Sequence, residues 1–111
     1  MSVYKEKECS PEKISDTFHR RISHLNDLML AVCDFTNGPA LQPDPPHSHI
    51  HEQITYVAEG ELYFFIGEEK YHLSKGDVYI VPSGIPHCIQ TISKYVRLID
   101  SFTPLRNDFL I

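Results

Sequence analysis

Past residue 17 the apolar positions fall into short runs, each closed by turn chemistry. "LMLAVCDF" (28–35) is almost wholly apolar and reads as a buried strand, followed by the turn residues "TNGP". "LQPDPP" (41–46) is an irregular, proline-rich lead-in. "QITYVAEG" (53–60) reads as a strand closed by Gly60, and "ELYFFIGEEKYHL" (61–73) as a hairpin with "GEE" near its tip. "SKGD" turns the chain into "DVYIVP", a strand ended by Pro82. "SGIP" turns it again, "HCIQTI" resumes extension, and "KYVRLIDSF" is a last strand. No segment carries a strong helix-length period of 3.6, which argues against α/β. Short strands at regular turn spacing predict an all-β sandwich or small barrel. Near the N-terminus, "SPEK" carries the signals of one helical turn, with Ser10 as N-cap and Pro11 at the first helical position. Residues 1–17 are thus set apart as an N-terminal segment, and 18–111 form the domain.

Composition narrows the class. The 111 residues, 41% hydrophobic and 23% charged, suffice for one domain with one core. The net charge of −5 and the lack of a Lys/Arg patch argue against nucleic acid as a partner. An anionic substrate would need a local positive site to overcome the global field. No apolar run has the length of a signal-peptide core or a membrane span. The three cysteines, Cys9, Cys33 and Cys88, form no CxxC pair, which fits reduced thiols in the cytoplasm.

The candidate chemistry begins at "PPHSHIHEQ". In an extended segment, His47, His49, His51 and Gln53 share one face and Glu52 takes the other. Imidazoles gathered inside a barrel suit zinc, copper, iron or nickel. A second segment, "GDVYIVPSGIPH", offers His87 just after a turn built on Pro82 and Gly84. Written as HxHx3Qx6G and Gx5PxGx2H, and separated by fifteen residues, the two segments resemble the paired motifs of the cupin superfamily. The resemblance implies a jelly-roll barrel, the double-stranded β-helix. It implies His47, His49 and His87 as ligands of one divalent transition metal. Gln53 stands where glutamate is usual, Leu41 where the first motif opens with glycine, and Thr91 where the second ends with asparagine. With Gln53 as fourth ligand the ion keeps its full double charge, which favours a carboxylate ligand. His51 is the rival fourth ligand. His19, His24 and His72 read as surface or partly buried residues, Cys33 as core, and Cys88 as packing turned away from His87.

The tail adds a second group. Asp100 and Phe102 share parity with Val96 and Leu98, and an aspartate among inward positions is costly unless paired or functional. Arg106 follows closely enough to fold over the barrel mouth, where an Asp100–Arg106 salt bridge is the structural alternative to a site role. "HSHIHEQITYVAEGELYFFIG", "GDVYIVPSGIPH" and "DSFTPLRNDFL" together are similar to the small cupins of pectin and alginate breakdown, the KdgF family; Ile50 is a minor departure. "RISHLNDLMLAVCDF" resembles that family's early strands, so the likeness spans roughly residues 18–111. It implies conversion of 4,5-unsaturated uronate monosaccharides to their linear keto forms. His47, His49, Gln53 and His87 carry over as metal ligands, and Asp100, Phe102 and Arg106 as catalytic or substrate-contacting residues. Thr55, also inward, is a weaker contact candidate. A homodimer is implied as well, with the apolar tip "DFLI" as a cover for a partner's sheet edge. The competing expectations are a metal-dependent dioxygenase, a sugar isomerase or epimerase, and a non-catalytic sugar or metal sensor.

Overall fold

The computed structural model describes residues 3–110. It contains nine strands: β1 (Glu12–Ser15), β2 (Phe18–His24), β3 (Met29–Phe35), β4 (Glu52–Glu59), β5 (Glu61–Ile66), β6 (Glu69–Ser74), β7 (Val78–Val81), β8 (His87–Thr91) and β9 (Val96–Thr103). All pairings are antiparallel. They build a six-stranded sheet in the order β1-β2-β3-β9-β4-β7 and a three-stranded sheet in the order β6-β5-β8. The two sheets close on a common core as a single jelly roll. Among the described residues, no helix is long and apolar enough to cross a membrane.

Alternation builds that core. Met29, Ala31 and Cys33 of β3, Val57 of β4, Leu62 and Phe64 of β5, Tyr79 and Val81 of β7, and Val96, Leu98 and Phe102 of β9 are all buried. The residues between them on β4 and β7 face outward. Across the core, Phe64 of the small sheet stacks on Tyr79 of the large one with ring centroids 4.0 Å apart. Burial of each such side chain contributes roughly 1.5–3 kcal/mol.

Glycine fixes one close approach just past the end of β4. Gly60 ends β4 with φ +85°, and a Cβ there would lie 2.2 Å from the Tyr95 carbonyl oxygen. No side chain fits that position.

The N-terminus departs from expectation. "SPEK" does not form a helical turn; the short 3-10 turn lies earlier, at Glu6–Glu8. Residues 12–15 extend into β1, and the register pairs Glu12 with Arg20 and Lys13 with His19. The Arg20 guanidinium donates to Glu12 Oε1 at 3.0 Å. Pairing with β2 outweighs a local capping preference that, in isolation, is worth only about 1 kcal/mol. The large sheet therefore begins before residue 18.

Candidate active site

Two segments distant in sequence meet at one end of the barrel. The backbone N–H of His47 donates to the His87 carbonyl at 3.0 Å, and that of His87 donates back to His47 at 2.9 Å. This isolated bridge brings their rings to 4.3 Å between centroids. Gly84, with φ +80°, carries the turn before His87, and its N–H donates to the His49 carbonyl at 2.8 Å. The motif glycine thus ties the second segment to the first.

The expected continuous strand through 47–51 is absent, because β4 opens only at Glu52. Pro45 and Pro46 deny the lead-in two backbone donors, and it runs along β8 through single hydrogen bonds instead. Convergence of the imidazoles comes from that docking rather than from strand parity. Glu52 is exposed, as expected of the opposite face.

His47, His49 and His87 place one ring nitrogen each within 4.8 Å of one another. His87 Nδ1 lies 2.9 Å from the Ile85 carbonyl, which only accepts, so that nitrogen carries the hydrogen. Its Nε2 is buried and has no hydrogen-bond partner. His49 Nδ1 is committed in the same way to the His51 carbonyl at 2.9 Å. In the neutral ring its Nε2 therefore presents a lone pair, 3.1 Å from Gln53 Oε1. Two acceptors facing each other and an orphaned lone pair beside them are what a cation would satisfy. Burial holds the His47 and His87 rings below the usual imidazole range, and neighbouring imidazoles push the same way. Neutral rings are the ligating form. The donor set fits a divalent transition metal held by His47, His49, His87 and Gln53.

His51 stands apart from that trio. Its Nε2 donates to the Leu105 carbonyl at 3.0 Å and so fastens the C-terminal tail to the mouth of the barrel.

Next to the imidazoles runs a polar chain along the inner face of β4. The Gln53 amide nitrogen donates to Thr55 Oγ1 at 2.9 Å, and the Thr55 hydroxyl donates to Asp100 Oδ1 at 2.6 Å. The Cys33 thiol donates to Asp100 Oδ2 at 3.4 Å. Asp100 faces the cavity with part of its surface and is otherwise enclosed by protein. That enclosure raises its carboxyl above the ordinary aspartate range, and the Thr55 and Cys33 hydrogen bonds offset only part of the rise. Cys33 is buried core as expected, and it also touches the site. Cys88 is buried.

The tail folds over the mouth. Arg106 does not pair with Asp100. Its Nε and Nη2 donate to the two carboxylate oxygens of Asp108 at 3.1 and 2.7 Å. Its guanidinium lies 4.1 Å from the Phe109 ring centroid and 5.3 Å from that of Phe102. Phe102 meets the His49 ring edge-on at 5.9 Å. Phe109 packs back on its own barrel.

These groups open onto one cavity of about 510 Å³, bordered by His47, Gln53, His87, Asp100, Phe102 and Arg106. That volume suits a small ligand. Arg20 also borders it and was not anticipated from sequence. Its guanidinium stacks 3.9 Å above Phe109, and its Nε is buried without a partner. The available signal was parity, since Phe18 and Ile22, on the same face of β2, pack against the core. Among the remaining histidines, His24 and His72 are exposed and His19 is partly buried.

Comparison with known proteins agrees with this architecture. The cupin domain family matches residues 39–102. The pectin degradation protein KdgF of Dickeya dadantii (strain 3937) is 37% identical over 101 residues, covering 89% of each chain. The structure of KdgF from Halomonas sp. superposes with a TM-score of 0.87 at 30% identity, covering 97% of this chain and 99% of that one. An RmlC-like cupin from Shewanella frigidimarina NCIMB 400 superposes with a TM-score of 0.88 at 27% identity, covering 98% and 96%.

Proposed function

The chain belongs to the cupin family, as a small single-domain member of the KdgF type, and from that premise we propose that it opens and ketonises 4,5-unsaturated uronate monosaccharides. The observation that carries the reading is the shared cavity. Asp100, Arg106 and the imidazoles of His47 and His87 line one cavity of about 510 Å³, and a ring nitrogen of His49 lies within 4.8 Å of theirs.

The substrate has a C4=C5 double bond, a ring oxygen on C5 and a carboxylate at C6. A divalent metal held by His47, His49, Gln53 and His87 supplies Lewis acidity, lowering the cost of negative charge on the substrate's oxygens. Asp100 takes the proton of the C1 hydroxyl. The C1 carbonyl forms as the bond from C1 to the ring oxygen breaks, leaving an enolate on C5. Asp100 then returns the proton to C4, and C5 becomes the ketone. A carboxyl raised by burial is suited to both halves of that transfer. Arg106 binds the substrate carboxylate. Asp108 holds its Nε/Nη2 edge, which leaves the Nη1/Nη2 edge for a second bidentate contact. Phe102, held against His49, gives the sugar ring an apolar wall.

The test is kinetic. Unsaturated uronate is generated with a lyase, and loss of the conjugated-alkene absorbance is followed with and without the protein. The expected result is faster decay with metal-loaded protein, abolished by EDTA and by Arg106→Ala. Decay curves indistinguishable from the uncatalysed reaction under metal-replete conditions overturn the proposal.

A homodimer belongs to the same reading. Strand β7 is a sheet edge, and Ile54, Tyr56, Val78 and Ile80 expose an apolar face beside it, which supports self-association. Sedimentation at micromolar concentration tests it, and a monomer mass excludes it. A cytoplasmic setting is part of the proposal too, supported by three cysteines that are all free thiols.

A further inference from the structure

Gln53 differs from the other three candidate ligands in one chemical respect. An imidazole nitrogen or a carboxylate oxygen ligates without further instruction. A carboxamide has two ends, and only the oxygen is a ligand. Rotation by 180° would place the NH2 group among the imidazoles, where it would donate to the lone pair of His49 Nε2. In a metal-free site that flipped arrangement is the better hydrogen bond, so something must hold the oxygen inward.

The structure supplies that restraint two residues away. Thr55 is 0% exposed and shares the inner face of β4 with Gln53. It has a single hydroxyl hydrogen, and it spends it on Asp100, its direct cross-strand partner on β9, at 2.6 Å. Its oxygen is then left as an acceptor, and it faces the Gln53 amide at 2.9 Å. An acceptor in that place takes the NH2 end and turns the carbonyl end toward His49. Flipping the amide would set its oxygen against that acceptor with no hydrogen between them, unless Thr55 gave up its bond to Asp100.

We infer that Thr55 is a positioning residue for the metal centre: held by Asp100, it fixes the Gln53 carboxamide with its oxygen toward His47, His49 and His87. The inference rests on the reading of Gln53 as a ligand. It assigns Thr55 no contact with metal or substrate.

The experiment is Zn²⁺ binding to purified, metal-stripped protein, by competition with a chromophoric chelator. Thr55→Val, which keeps shape and removes the hydroxyl, is expected to weaken Zn²⁺ binding by about 10–100-fold, the range for partners that orient a ligand. Thr55→Ser restores it to near wild type. The decisive comparison uses Gln53→Glu, whose two carboxylate oxygens are equivalent. In that background Thr55→Val is expected to cost less than about 3-fold, well below the usual orienting effect. Equal losses in both backgrounds mean that Thr55 serves only the barrel's integrity, and the inference fails. It fails equally if Gln53→Ala weakens binding while Thr55→Val does not. If Gln53→Ala leaves Zn²⁺ affinity unchanged, the ligand reading itself is wrong and the role of Thr55 falls with it.

Discussion

His47 and His87 hold each other in place through their backbones before either ring meets a ligand: each donates its N–H to the other's carbonyl, at 3.0 and 2.9 Å. Thirty-nine residues lie between them in the chain, carrying β4 to β7. The candidate metal site is therefore a tertiary feature, in place once β4, β7 and β8 are docked. The ion would stabilise a fold that has already brought the donors together, in proportion to its affinity for the native state.

Alanine at position 47, 49 or 87 is expected to weaken Zn²⁺ binding by more than the ~10–100-fold that outer partners typically contribute. Alanine at 51 leaves the affinity within about 10-fold. The reason is that the His51 Nε2 is committed to the Leu105 carbonyl. Its loss should act on the tail instead, as faster amide exchange over residues 105–110. Chelator competition and hydrogen exchange separate the two effects. A His51→Ala variant that loses metal as fully as His49→Ala contradicts this assignment.

The depressed His47 and His87 rings give the metal-free protein a pH dependence of definite sign. Between their native values and the ordinary 6.5, the unfolded chain binds more protons than the native one. Native stability therefore rises with pH across that window, is fully present above 6.5, and is lost as pH falls through it. Thermal unfolding of EDTA-treated protein from pH 7.5 downward reads this out. A His47→Gln, His87→Gln double variant should show a flatter profile over the same range. Parallel profiles for the two proteins would refute it.

Asp100 acts in the opposite direction. Its native carboxyl is raised above the ordinary 3.8, chiefly by burial, so ionising it in the folded state opposes stability as pH rises through that shifted range. In metal-free protein, Asp100→Asn should raise the melting temperature at neutral pH. The gain should shrink as pH approaches the ordinary aspartate range. The same variant should lose about 10²–10⁴-fold in kcat as the group that moves the proton. A variant that keeps wild-type kcat removes Asp100 from the mechanism.

Much of this was legible in the residues. The strands from β3 to β9 follow short apolar runs bounded by glycine and proline, and the inward parity of Asp100, Phe102, Gln53 and Thr55 held. What escaped was tertiary. β1 is exposed along its whole length, so no burial pattern marks it, and it exists only because β2 offers an unpaired edge. The segment 47–51 alternates like a strand but lacks a partner to make it one. His51 looks equivalent to His49 until the tail returns from residue 105 to claim it. An Asp100–Arg106 salt bridge stood as the structural alternative to a site role for Asp100, but Asp108 lies two residues from Arg106 and takes it instead.

That last pairing leads to a final prediction. Asp108 takes the Nε/Nη2 edge of Arg106 with two hydrogen bonds, while Phe102 and Phe109 lie beside the guanidinium plane. The Arg106 charge also holds the Asp108 carboxyl below the ordinary range, so the pair persists at neutral pH. A guanidinium fixed on one edge and beside aromatic rings presents its other edge in a set orientation. A lysine ammonium has neither the second edge nor the plane. Arg106→Lys is therefore expected to raise KM for the uronate by about 10–100-fold, the equivalent of one or two hydrogen bonds to a charged group. Asp108→Asn keeps the cation but loosens it, so KM should rise several-fold less than in Arg106→Lys, with kcat nearly unchanged. Steady-state kinetics on both variants give the comparison. If Arg106→Lys matches wild type in KM, Arg106 does not bind the carboxylate, and Arg20, the other guanidinium on the cavity wall, becomes the residue to substitute next.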